Sequence, residues 1–103
     1  MQQEKIVVEV DSDMEYLMPL FMTSRQKDLE GLAKGLEGGD FSALRSIGHD
    51  MKGTGSSFGF DAVSHMGNFI EIAALAQDLE TIRSQFLVFQ NYMARVEIKY
   101  IPN

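Results

Sequence analysis

The 103-residue chain contains no cysteine, which excludes both a disulfide scaffold and a cysteine-ligated metal site. Basic residues are scarce: nine Lys and Arg stand against fifteen Asp and Glu, for a formal net charge of −6. That balance argues against nucleic acid and against an anionic membrane surface as partners. No apolar run approaches the roughly 18 residues of a membrane span. The opening MQQEKIVVEV lacks the apolar stretch of a secretory signal, so the cytoplasm is the expected location. The acidic residues show no calcium-loop spacing. His49 and His65, with no cysteine to join them, make a poor zinc site, so no metal and no cofactor is expected on this chain.

A nucleotide-binding loop is also missing. The run Gly53-Thr54-Gly55-Ser56-Ser57-Phe58-Gly59 is glycine-rich, but a helical pattern precedes it where such a loop needs a buried strand. Lys52-Gly53-Thr54 lacks the upstream glycine and the residue order of a P-loop. There is no internal repeat and no alternation of strands with helices. What is present is a globular composition, 45% hydrophobic, in a chain the length of one domain. We expect a single domain over residues 1–103, with a thin core. A monomer is the simplest expectation, and Met1 points to a free-standing protein.

The hydrophobic pattern is helical through most of the chain. Asp11-Ser12-Asp13 is a helix-start cluster, and Met14, Leu17 and Met18 follow at helical spacing. Pro19 interrupts, because proline removes an interior hydrogen bond but is tolerated in a first turn. A short helix ending near Met18 and a longer one from Pro19 to about Glu37 are predicted. Gly38-Gly39 ends the longer helix, and Asp40 caps the next, which runs from Phe41 to about Phe58. Gly59 marks a turn, and Asp61 a nearby cap. Another helix follows from about Ala62 to Ala76. Asp78 caps the last, which carries Leu79, Ile82, Phe86, Phe89 and Met93. Short connections between amphipathic helices favour an antiparallel bundle, over about residues 12–97. Residues 1–10 form an extended arm and 98–103 a tail. The alternating stretch Val96–Ile101 suits weak pairing with the arm.

The helix from Phe41 to Phe58 is unusual. Phe41, Leu44, Gly48, Met51, Gly55 and Phe58 share one stripe, the core face. His49 lies about 130° from the centre of that stripe, on the solvent side. Its exposed neighbours are Ser42, Ser46, Gly53, Ser56 and Ser57, where an ordinary helix face would carry long charged side chains. Each interior glycine costs roughly 1 kcal/mol relative to alanine. Gly48 and Gly55 fit close approach of neighbouring helices. Gly53 lies on the outer face, where core packing gives no reason for it. A bare backbone there lets another protein's loop come up to the imidazole. Lys52, three residues after His49, is its neighbour on the helix.

The run His49-Asp50-Met51-Lys52-Gly53-Thr54-Gly55-Ser56-Ser57-Phe58-Gly59 reads HxxKGxxxxxG. It resembles the signature of histidine-phosphotransfer domains. The resemblance extends over roughly residues 11–97. It implies an all-α fold: a four-helix antiparallel up-and-down bundle with a short extra N-terminal helix. It further implies that His49 accepts a phosphoryl group, that Lys52 assists with charge, that Gly53 clears space for the partner and that Gly59 sets the turn. Ser42, Ser46, Ser56 and Ser57 would then belong to the docking surface. Family members often carry a Gln or Glu on the next helix that hydrogen-bonds the histidine. With the turn centred near residue 60, the residue opposite His49 is Glu71, and Asn68 is the next candidate. A carboxylate there would accept from Nδ1–H and leave Nε2 free.

The implied partner is a response-regulator receiver domain or a hybrid sensor kinase, which would bring the aspartyl phosphate and Mg²⁺. The chain itself would be a phosphocarrier and not an autonomous kinase. The alternative from a different class is a helical protein–protein interaction module that is never phosphorylated. An autonomous hydrolase or nucleotide enzyme is a distant third, because no constellation of nucleophile, base and orienting group is evident.

Overall fold

The computed structural model describes residues 4–102. Met1, which suggested a free-standing protein, lies outside the described residues. Strand β1 covers Ile6–Asp11, and a 3-10 turn follows over Ser12–Leu17. Four helices make up most of the chain: α1 Met18–Gly38, α2 Phe41–Thr54, α3 Asp61–Leu75 and α4 Leu79–Arg95. Strand β2, Val96–Ile101, closes the chain.

Local chemistry accounts for most of these boundaries. The Asp11 carboxylate accepts from Asp13 N–H at 2.9 Å and starts the 3-10 turn. The segment expected as a short α-helix is therefore the tighter 3-10 form. Pro19 sits in the first turn of α1, where its missing N–H has no intrahelical role. Gly39 ends α1 at φ 63°, in the left-handed region that glycine adopts without strain. Asp40 caps α2 through Ala43 N–H at 3.1 Å. Asp78 caps α4 through Thr81 N–H at 3.1 Å and also takes the Thr81 hydroxyl at 2.6 Å. Asp61 is not a cap but the first residue of α3; the capping position is Phe60, which offers no side-chain bond.

The core lies between the four helices, with Leu32, Leu44, Met51, Phe60, Ile70 and Phe89 essentially inaccessible. α2 packs most extensively against α3, and α1 touches both α2 and α4.

The arm and tail depart from a purely α fold. β1 and β2 form a two-stranded parallel sheet in the register Ile6↔Val96 to Asp11↔Ile101. The last helix accordingly stops at Arg95 and not at residue 97. A two-stranded sheet alone is marginal in water. This one is supported from one side: Val10 is buried, and Ile6, Val8, Val96 and Ile98 pack on the helical core. Val7, Glu9, Glu97 and Lys99 are exposed.

Candidate functional site

α2 places its buried stripe, Leu44, Gly48 and Met51, against the core and leaves His49 outside. The imidazole is 68% exposed. Its Nδ1 lies 2.8 Å from Glu71 Oε2, and the Lys52 ammonium donates to Glu71 Oε1 at 3.1 Å. One carboxylate thus joins a histidine and a lysine from the neighbouring helix. Only 12% of the Glu71 side chain is exposed. Of the two residues considered opposite His49, Glu71 and not Asn68 is the ring's partner.

The Lys52 hydrogen bond, and next the His49 one, hold the Glu71 carboxyl below its ordinary value of 4.5. Glu71 is therefore ionised at neutral pH and has no proton to give. The proton between the two groups belongs to Nδ1, which donates. In the neutral ring Nε2 is then left with its lone pair facing solvent.

Glycines bring the two helices close enough for this arrangement. A Cβ on Gly48 would lie 2.8 Å from both Glu71 N and Gly67 O. A Cβ on Gly67 would lie 2.6 Å from Gly48 O and from Lys52 N. Backbone meets backbone beside the histidine, and Glu71 enters hydrogen-bond range because nothing separates α2 from α3. The role of Gly67 went unread in the sequence; its signal was a second helix-interior glycine opposite Gly48.

Gly53 is the contrary case. A Cβ there would meet nothing within 4 Å. We expect Gly53→Ala to stabilise the fold by about 0.5–1 kcal/mol, since alanine is the better helix former. Denaturant unfolding measures this. The same variant should slow phosphoryl exchange with a partner, because the added methyl stands on the approach face.

A shallow cleft beside the ring is lined by Ser42, Arg45, Ser46, His49, Asp50 and Glu71. Ser42 and Ser46 fall where the helical geometry put them. Arg45 was missed; it lies one turn before His49, a spacing that could have shown it. Ser56 and Ser57 are exposed but leave the helical stripe. α2 stops at Thr54, and both serines sit in a 3-10 turn, Ser56–Phe58. Gly59 follows at φ 89°, as its place in the turn requires. On α3, Ile72 and Leu75 are more than half exposed on the Glu71 side, and Phe69 is more than half exposed further round the helix; the motif alone pointed to none of them.

Behind this end of α2 the buried Arg25 side chain donates to Asp28 at 2.7 Å and to the Thr54 hydroxyl at 3.1 Å. Its guanidinium lies 4.7 Å from the Phe21 ring centre. Burial pushes the Asp28 carboxyl up, against the opposing pull of Arg25.

A family model described as the Hpt domain matches residues 17–98. The chain belongs to the Hpt domain family. Hpt domains are phosphocarriers in phosphorelays, with a phosphohistidine as the carried form, and they work with two-component partners. No match was found among curated proteins or among solved structures. Among the described residues of this Hpt domain, no helix is long and apolar enough to cross a membrane. No group of three or more His, Cys, Asp and Glu among them could hold a metal ion.

The carboxylate network gives the domain a pH dependence with a defined sign. Glu71 and Asp78 both titrate below their ordinary values of 4.5 and 3.8, Asp78 through its bonds from Thr81. A carboxyl depressed in the folded state adds stability above its unfolded value and loses it as pH falls through the folded one. Asp28, raised by burial, works in the opposite direction. Thermal unfolding followed by circular dichroism should show stability falling as pH drops below about 4.5. In Glu71→Gln the Glu71 part of that fall should be missing.

Proposed function

We propose that His49 is the residue that carries the phosphoryl group, accepting it from and returning it to a receiver-domain aspartate. One observation carries this reading: an exposed imidazole whose Nδ1 is held by an ionised carboxylate, so that Nε2 is the nucleophile. Nε2 attacks the phosphorus of the aspartyl phosphate in line. The N–P bond forms as the P–O bond to aspartate breaks, and the carboxylate of aspartate leaves. Phosphoryl transfer of this kind needs positioning and charge stabilisation more than covalent help. Glu71 supplies the positioning. Lys52, half-exposed and within reach, supplies positive charge to the transferred group, and Arg45 borders the same cleft. Mg²⁺ comes with the receiver.

The approach is open over Ser42, Ser46 and Gly53. The apolar side chains of Ile72 and Leu75 offer the adjoining face of α3 to the partner. Non-polar anchors beside a charged centre suit a contact that must be specific and brief. The short links Gly39-Asp40 and Ala76-Gln77-Asp78 support an antiparallel up-and-down course for the four helices, and a monomer is the simplest state for it.

The test is phosphoryl transfer from a receiver domain already carrying phosphate. A panel of phosphorylated receivers is incubated with the protein, and the label is mapped by mass spectrometry under non-acidic conditions. An acid-labile phosphoryl group on His49 supports the proposal and names the partner. A folded protein that binds a receiver but stays unlabelled would make it a non-phosphorylated interaction module instead.

A further inference from the structure

The α-helical ladder of α2 is broken at one identifiable point. In an uninterrupted helix Ser56 N–H would donate to the carbonyl of Lys52. Here Ser56 N–H donates to the hydroxyl of Ser64 at 2.7 Å, and that hydroxyl donates to the Lys52 carbonyl at 2.9 Å. A side chain from α3 has entered the ladder, as happens where helices kink or end. α2 stops at Thr54 and the backbone tightens to a 3-10 turn. Gly55 is the opening: a Cβ there would lie 2.6 Å from Ser64 N and 2.7 Å from Ser64 Oγ. Ser64 itself is 8% exposed.

Ser64, Gly67 and Glu71 lie along one stripe of α3, and all three meet residue 52 or its neighbours. Gly67 admits the backbone at Lys52 N, Ser64 binds the Lys52 carbonyl, and Glu71 binds the Lys52 ammonium. α3 therefore holds Lys52 at both its carbonyl and its ammonium. The carboxylate that takes the ammonium is the one that orients His49.

We propose that Ser64 is a positioning residue for the phosphoryl-accepting site: its inserted hydroxyl fixes the backbone of Lys52 and, through it, the Lys52–Glu71–His49 arrangement. This rests on the reading of His49 as the acceptor. Without the hydroxyl, Ser56 N–H and the Lys52 carbonyl close on each other directly. α2 then runs on past Thr54, and Lys52 shifts relative to Glu71.

The experiment compares the whole chain with Ser64→Ala and Ser64→Thr by NMR and by transfer kinetics from a phosphorylated receiver. In Ser64→Ala the Ser56 amide signal moves, and the His49 Nδ1–H signal exchanges faster with water. The transfer rate at saturating receiver falls about tenfold or more, as small displacements of reacting groups do. The half-saturating receiver concentration changes little, because Ser42, Ser46 and the apolar face of α3 stay in place. Ser64→Thr, which keeps the hydroxyl, restores both signals and rate. A Ser64→Ala protein with an unchanged ring proton and unchanged rate overturns the proposal. If the wild type accepts no phosphoryl group, the His49 reading has failed, and the ring-proton comparison alone decides the role of Ser64. Should Ser64→Ala not fold, Ser64→Cys replaces it. A partial loss of ring-proton protection then supports the proposal, and wild-type behaviour refutes it.

Discussion

His49→Gln should abolish phosphoryl acceptance completely while leaving the fold and partner binding in place. The imidazole is mostly exposed and contributes nothing to the core, so its loss leaves Leu44, Met51 and Ile70 packed as before. Glutamine keeps a polar head of similar reach, and its amide can still donate to Glu71. It has no lone pair of comparable nucleophilicity to attack phosphorus. The expected change is therefore in chemistry alone. Label transferred from a phosphorylated receiver should drop to background, with unfolding midpoint and receiver affinity close to wild type. His65 is the internal control. It lies on α3 with no assigned partner among the described residues, and His65→Gln should transfer normally. Residual acid-labile label on His49→Gln would place the acceptor elsewhere.

The second large effect is expected at Gly67, which touches no reacting atom. A methyl there would lie 2.6 Å from Gly48 O, Lys52 N and Met51 Cβ. Two of those atoms are backbone, so no side chain can rotate away to make room. α2 and α3 must move apart, and the strain of overpacking, about 1–3 kcal/mol, outweighs the gain in helix propensity. The separation also withdraws Glu71 from His49, so Gly67→Ala should lose both stability and transfer. Gly53→Ala forms the matched comparison: the same substitution is expected to gain stability while losing transfer. Denaturant unfolding beside transfer kinetics for the two variants separates the seam from the approach face. Equal stability changes in both would remove the close-packing account of Gly67.

Much of this was readable in the chain because the signals are local. The Asp40 and Asp78 caps act over three residues, and the motif from His49 to Gly59 lies within one stretch of chain. Glu71 was reachable too, since counting outward from one turn suffices when the flanking helices run side by side. The end of α2 was not. Phe41, Leu44, Met51 and Phe58 keep helical spacing past Thr54, and the interruption comes from Ser64, a residue of another helix. Gly67 resembles any tolerated helix glycine until the facing backbone is known. The strands showed their alternation, but their parallel orientation depends on where α4 delivers the chain, which no local pattern encodes.

That parallel pairing has a mechanical consequence. β1 leads in from the Ile6 end of the sheet, and β2 leads out from the opposite, Ile101 end. A force drawing the two chain ends apart slides one strand along the other, loading the ladder bonds together. An antiparallel pair would open one bond at a time, like a zipper. Tension passed through the termini meets a clamp before it reaches α2, so the histidine-bearing helix is shielded from pulling on either side.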